Sequence, residues 1–222
     1  MPIRLLTDAL SADDQVRVLR HCSRLRFGKG AFIFHAGEAG DTVHLIETGK
    51  VAVLAGGSLG EPVMLTIMGQ GEVFGEQGLL DPGHRRTATI QALTVVETMA
   101  LRRDAFEELR HEHPTVDKLL IAILSQRVHR LTDAIIEFAE LSAATRIYRR
   151  ISQLATVFEV AGSDRPIPVT QAHVASMAAV KLRATNEVIG QARRDGVLTT
   201  ARGRIVVVNW GELYRRAHLP AG

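Results

Sequence analysis

The chain has 222 residues, 46% of them apolar and 23% charged, with a net charge of +3. That is ordinary for a globular protein whose core is large enough to fold without disulfides or metal, and the charge alone is weak evidence for nucleic acid. Cys22 is the single cysteine, which excludes an internal disulfide and an iron–sulfur cluster, a group needing about four ligands. With no leader pattern and no apolar run long enough to cross a bilayer, the protein is expected in the cytoplasm, away from membranes.

Ser11, followed three residues later by Asp14, predicts a short helix through Leu19 with serine as its N-cap. From Arg26 to Leu101 the texture changes. Residues 31–34, 42–46, 51–54, 63–67 and 88–90 cluster or alternate β-formers, and glycines punctuate them. Many short strands with regular turn signals predict a sandwich, barrel or jelly roll.

The stretch Phe74-Gly75-Glu76-Gln77-Gly78-Leu79-Leu80-Asp81-Pro82-Gly83-His84-Arg85-Arg86-Thr87-Ala88-Thr89 predicts a strand end, a glycine turn, one helical turn, a loop and a new strand. A buried cyclic phosphodiester needs those parts. Gly75 and Gly78 let backbone approach a phosphate, and N–H groups near Gln77 to Leu80 would face the anion. Arg86 can clamp two phosphate oxygens, Glu76 can accept from a ribose hydroxyl, and Thr87 adds a donor. The plain alternative is a surface hairpin with an arginine on its rim.

From Pro114 the chain reads as helical. Ile121, Leu124, Val128, Leu131, Ile135 and Phe138 recur at alternating spacings of three and four, the pattern of a helix pairing with its own copy. Packing on its own domain is the alternative. A hinge is expected at Leu141-Ser142, then a helix over about 143–158 with Arg146, Arg149 and Arg150 on its polar side. After a loop at 162–166, Thr170 caps a helix over 170–180, and a second covers 181–194. Residues 197–208 predict a hairpin with Arg202-Gly203-Arg204 at its tip. Two helices meeting steeply, followed by a basic-tipped wing, form a DNA-binding arrangement; the alternative is a winged helix that docks protein.

Gly75-Glu76 followed by Arg86-Thr87-Ala88, with turns at 35–38 and 47–51 and the helix–turn–helix after the paired helix, resembles the Crp/Fnr family of regulators over nearly the whole chain. The resemblance implies an α+β protein: a cyclic-nucleotide-binding β-roll (1–113), a dimerisation helix (114–141) and a winged helix-turn-helix (142–222). It implies a homodimeric transcription regulator and no enzyme, with a cyclic nucleotide, cyclic AMP or alternatively cyclic GMP, as allosteric ligand. No metal or haem is expected, since the nine histidines show no ligand spacing.

Implied ligand contacts are Gly75, Glu76, Gln77, Gly78, Arg86, Thr87 and Thr132, the last reaching a nucleotide held by the other subunit. Implied DNA contacts are Thr170, Gln171, Lys181, Leu182, Arg183, Asn186, Glu187, Arg202 and Arg204. Implied partners are a two-fold symmetric double-stranded operator, a second copy of the chain and RNA polymerase. Two departures stand out. Where cyclic-AMP-binding members carry Arg-Glu and a later Arg in the recognition helix, this chain has Leu182-Arg183 and Glu187, so the operator does not follow by analogy. Leu131-Thr132 replaces a pair of hydroxyl residues that often meets adenine. A regulator active without nucleotide remains an alternative.

Overall fold

In the computed structural model, which describes residues 11–56, 62–80, 83, 85–113 and 117–218, the β region holds eight strands among the described residues. The order is α1 (Ala12–Arg20), β1 (Ser23–Phe27), β2 (Phe32–Phe34), β3 (Thr42–Thr48), β4 (Val51–Gly56), β5 (Pro62–Met68) and β6 (Val73–Phe74). Then come α2 (Gln77–Leu80), β7 (Thr89–Ala92), β8 (Val96–Arg102), α3 (Arg103–Glu112) and α4 (Asp117–Glu140). Ser11 caps α1 as predicted: its Oγ accepts from the Asp14 amide at 3.3 Å and donates to the Asp14 carboxylate at 2.8 Å.

One sheet runs β1-β8-β3-β6 and the other β2-β7-β4-β5, with every pairing antiparallel. The period of two in β3 shows why both faces are apolar. Val43 and Leu45 join Val18 of α1, Phe106 and Leu109 of α3, and Leu119, Leu120 and Ile123 of α4. Ile46 points the other way, into a cluster with Val51, Val53, Met68, Phe74, Ile90 and Val96. The chain divides into two compact units, Met1–Arg130 and Leu131–Gly222. Helix α4 crosses that division.

The second unit contains α5 (Ala143–Val157), α6 (Gln171–Met177), α7 (Leu182–Arg194), β9 (Leu198–Ala201), β10 (Arg204–Val207) and α8 (Trp210–His218). Ser142 caps α5 by accepting from the Thr145 amide at 3.1 Å. Thr170 caps α6 in a capping box with His173. Two helices escaped the sequence reading. Helix α3 buries Phe106 and Leu109, and α8 buries Leu213 and Ala217. The start of α8 carries a cap signal, since Asn209 Oδ1 accepts from the Glu212 amide at 3.0 Å.

The paired-helix seam needs one correction. Ile121, Val128, Leu131, Ile135 and Phe138 are exposed on α4, but Leu124 packs against the core under α1 and β3. Arg146, Arg149 and Arg150 lie on the polar side of α5 as expected, and there they are half-buried and bonded within the second unit.

His44, on the same face of β3 as Ile46, stacks on Phe74 with ring centroids 5.0 Å apart and hydrogen-bonds Thr98 Oγ1 at 3.2 Å. Burial, reinforced by the Arg86 charge, lowers its pKa to about 4. A free imidazole titrates near pH 6.5, so on acidification the unfolded chain takes up this proton before the folded one. Stability is therefore full above about pH 6.5 and declines as pH falls toward the folded value, with a slope approaching about 1.4 kcal/mol per pH unit from this group. Urea unfolding between these limits should show a shallower pH slope in His44→Gln than in the wild type. Equal slopes would contradict the assignment.

Candidate ligand pocket and nucleic-acid interface

A cleft opens in the first unit, with about 440 Å³ of free space when its open mouth is counted. Phe34, Val53, Met68, Phe74 and Ile90 give it apolar walls, and Gly75-Glu76-Gln77, Arg86-Thr87-Ala88 and Arg127 complete the lining.

Arg86 is 7% exposed. Its guanidinium lies over the Phe34 ring at 4.1 Å, and Nη1 donates to the Gly75 carbonyl at 3.3 Å. Its Nε is buried with no hydrogen-bond partner, and among the described residues no carboxylate forms an ion pair with it. Burial pulls its pKa below that of a free guanidinium, while Asp41, Glu38 and Glu76 partly offset that pull. A buried cation with an orphaned donor has the chemistry of an anion site.

Glycines make room for it. A Cβ at Gly40 would stand 2.8 Å from Arg86 Nε, and one at Gly75 would stand 2.6 Å from Nη1 and 2.8 Å from the Thr42 carbonyl oxygen. Gly75 also has a φ of +82°, which side-chain-bearing residues rarely adopt. A Cβ at Gly78 would stand 2.9 Å from the Gly40 carbonyl oxygen. The glycines thus seat the arginine itself, a use of space the sequence reading had assigned to the phosphate.

Two further residues went unassigned in the sequence. Arg103, where β8 passes into α3, donates from Nε to the Gly78 carbonyl at 2.7 Å and from Nη2 to the Gly40 carbonyl at 2.8 Å. It fixes the backbone around Arg86. Arg127 of α4 brings a second guanidinium to the cleft; its only sequence signal was a polar position beside the apolar row.

The remaining predicted contacts fall as follows. Glu76 is buried in the lining. The Thr87 hydroxyl is exposed and lies 3.4 Å from Gln77 Oε1. The amide array expected over 77–80 is narrower than predicted, because the Gly78 and Leu79 amides donate to the Gly75 and Glu76 carbonyls at 3.1 and 3.0 Å. Arg85 turns away, donating to the Gly37 carbonyl at 2.9 Å. Thr132 is exposed on α4 in the second unit, and His84 lies outside the described residues. Among the described residues no group of three His, Cys, Asp or Glu could hold a metal ion, and no helix is long and apolar enough to cross a membrane.

In the second unit, a groove between α6, α7 and the wing brings together Thr170, Gln171, Leu182, Asn186, Arg202 and Arg204. The Thr170 hydroxyl also accepts from the His173 amide at 3.1 Å, so it is partly committed to capping α6. Lys181, Arg183 and Glu187 stand exposed at the start of α7. The Arg183 side chain is 93% exposed and lies 3.3 Å from Glu187. An exposed pair of this kind is worth little, so both partners are available to other groups.

Residues 24–113 match the family described as cyclic nucleotide-binding domain. The chain is 26% identical over 194 residues to a "CRP-like cAMP-activated global transcriptional regulator" of Mycobacterium tuberculosis, covering 86% of each. It is 27% identical over 192 residues to the "cAMP-activated global transcriptional regulator CRP" of Pasteurella multocida, covering 86% of this chain and 91% of that one. Among solved structures, it resembles the c-di-GMP-responsive global regulator CLP of Xanthomonas campestris. There the TM-score is 0.74 and the identity 22%, over 89% of this chain and 99% of that one. The Thermus thermophilus catabolite activator protein matches with a TM-score of 0.54 and 25% identity over 96% and 97%. The two curated relatives are named as transcriptional regulators. The match to the cyclic nucleotide-binding domain thus spans residues 24–113, and the chain as a whole is similar to regulators of the CRP type.

Proposed function

We propose that the protein is a homodimeric DNA-binding regulator whose operator affinity is set by a cyclic nucleotide held in the cleft of the first unit. Arg86 carries this reading: a buried guanidinium with an unpartnered Nε, walled by phenylalanine and glycine, suits a phosphodiester anion. Arg127 adds charge, and Glu76 offers a ribose acceptor. Cyclic AMP is the favoured ligand, since the relatives above are named as cAMP-activated. Cyclic GMP is the second candidate, because the exposed Thr87 hydroxyl beside Arg86 can accept from a guanine amino group and Leu131 offers adenine no polar contact.

The exposed apolar row of α4, with Val128 at 60% and Ile135 at 70% exposure, is the surface we assign to a second copy of the chain. Pairing through it would present two α7 helices to one face of a duplex, about 34 Å apart for half-sites one turn apart. The nucleotide acts by binding the DNA-competent form more tightly than the other. RNA polymerase remains a partner proposed from the resemblance alone.

Calorimetry with cyclic AMP and cyclic GMP side by side tests the ligand. Arg86→Ala should lose about 2–5 kcal/mol, roughly thirtyfold to several thousandfold in affinity, and Arg86→Lys should also fail because a point charge cannot replace a planar fork. Unchanged affinity in Arg86→Ala sinks the cleft assignment. Thr87→Ala should weaken cyclic GMP more than cyclic AMP if Thr87 reads guanine; an equal fall means that it serves the phosphate.

For the dimer, Val128→Glu with Ile135→Glu should give monomers in sedimentation velocity. A wild type that stays monomeric at micromolar concentration with nucleotide and DNA would overturn the pairing.

On DNA, Arg183→Ala should relax preference at one base pair by about 1–3 kcal/mol, whereas Arg204→Ala should weaken all sequences alike and lower the salt slope. Recovery of one preferred site by both the wild type and an Arg183→Ala, Glu187→Ala double variant would refute base reading by this face. Equal operator affinity with and without nucleotide would favour a regulator that needs no ligand.

A further inference from the structure

Three arginines of α5 direct donors or ring contacts toward the end of α4, and two of them, Arg146 and Arg150, also reach the turn that launches α7. Glu137 of α4 is 9% exposed. It accepts from Arg149 Nη1 at 3.1 Å and from Arg150 Nη2. The same guanidiniums reach onward: Arg150 Nε donates to the Met177 carbonyl at 3.0 Å, and Arg149 Nε to the Ala217 carbonyl of α8 at 2.9 Å. Arg146 lies over the Phe138 ring at 4.9 Å and donates to the Leu141 and Ala178 carbonyls at 2.8 and 3.0 Å.

The carbonyls of Met177 and Ala178 belong to a strained turn. Ala179 has a φ of +51°, a conformation that glycine takes readily and alanine does not. The turn closes through Ala179 N–H to the Ser176 carbonyl at 3.1 Å and Val180 N–H to the Ala175 carbonyl at 3.0 Å, the pattern of a Schellman motif. Lys181, the N-cap of α7, makes no side-chain capping bond. The start of α7 is therefore set by this turn, and the turn is held by Arg146 and by Arg150, the second of which Glu137 holds in turn. A buried ion pair is weak evidence for stability. What two planar guanidiniums around one carboxylate supply is direction, since each donates along fixed axes.

We infer that Glu137 is a positioning residue that, through Arg150, fixes how the α6–α7 pair is carried on the end of α4, while Arg149 ties the same carboxylate to α8. It thereby couples the state of α4 to the presentation of α7. The coupling to nucleotide rests on the regulator reading above; the hold on the turn does not.

The test uses full-length Glu137→Gln, cyclic AMP as probe, and a duplex selected by the wild type from a random pool. Cyclic AMP affinity should be unchanged. Operator affinity at saturating cyclic AMP should fall by about tenfold, and the ratio of affinities with and without nucleotide should move toward unity. Amide exchange over residues 176–181 should quicken by about tenfold or more, ahead of any change in α8. Arg150→Lys guards against a misfolded first variant: it keeps the charge, but one ammonium cannot serve both Glu137 and the Met177 carbonyl, so the same shifts should appear with little loss of thermal stability. Unchanged exchange over 176–181 in both variants overturns the inference, as does an unchanged affinity ratio in a responsive wild type. A wild type that binds neither nucleotide nor DNA would sink the regulator reading alone, because exchange still reports whether Glu137 holds the turn.

Discussion

A guanidinium that has left water without meeting a carboxylate among the described residues is the constraint around which the cleft of the first unit is built. Arg86 lies against Phe34 and among Gly40, Gly75 and Gly78, with its Nε unpartnered. Such a group is costly unless something anionic completes it. Every neighbouring feature follows from keeping it there. The glycines supply volume that any Cβ would take, and Arg103 ties two of their carbonyls so that the volume does not collapse. Asp41, Glu38 and Glu76 lend negative potential from a distance while leaving the donors open. In the ligand reading proposed above, such a held geometry would lower the ordering cost of binding an anion.

Much of this was legible in the sequence, because the features concerned are local. A glycine that needs positive φ, a serine or threonine cap and an arginine at a strand entry each leave a mark within a few residues. Ser11 and Thr170 cap the helices they were expected to cap, and Gly75 takes the turn expected of it with a positive φ, whereas Ser142, read as a hinge, proves to be a cap. What remained hidden depends on which face of an element meets a distant one. Helix α4 is apolar on two sides over its first half: Leu119, Leu120, Ile123 and Leu124 turn toward the β core, while Ile121 and Val128 turn away. Spacing alone shows two rows and cannot say which one the helix's own domain covers. Leu124 was therefore counted in the wrong row.

Arginines are opaque to sequence for a related reason. Their long apolar stems allow burial while the heads find carbonyls. Arg103 and Arg127 carried no assignment from the sequence, and Arg146, Arg149 and Arg150 only that of a polar helix side. In the structure Arg103 braces the glycine cradle, Arg127 lines the cleft, and the three in α5 hold Glu137 and the turn before α7. Placing these residues required backbone carbonyls whose positions only the fold defines.

The two sides of α4 carry different kinds of contact. Arg130, whose Nη1 meets Glu72 at 2.9 Å, and Glu137 are seven residues apart, which places them on one stripe of the helix with a drift of only about 20°. Val128 and Ile135 each precede one of those residues by two positions, about 200° around the helix. One side of α4 is therefore tied by ion pairs, to the β5–β6 turn at one level and to α5 at the next, while the opposite side presents an exposed apolar row. Within the second unit, Glu137 ties one side of the helix to α5 while Ile135 stays exposed on the other, so the row we assign to a second copy and the carboxylate we assign to holding the turn before α7 lie on opposite sides of one helical turn.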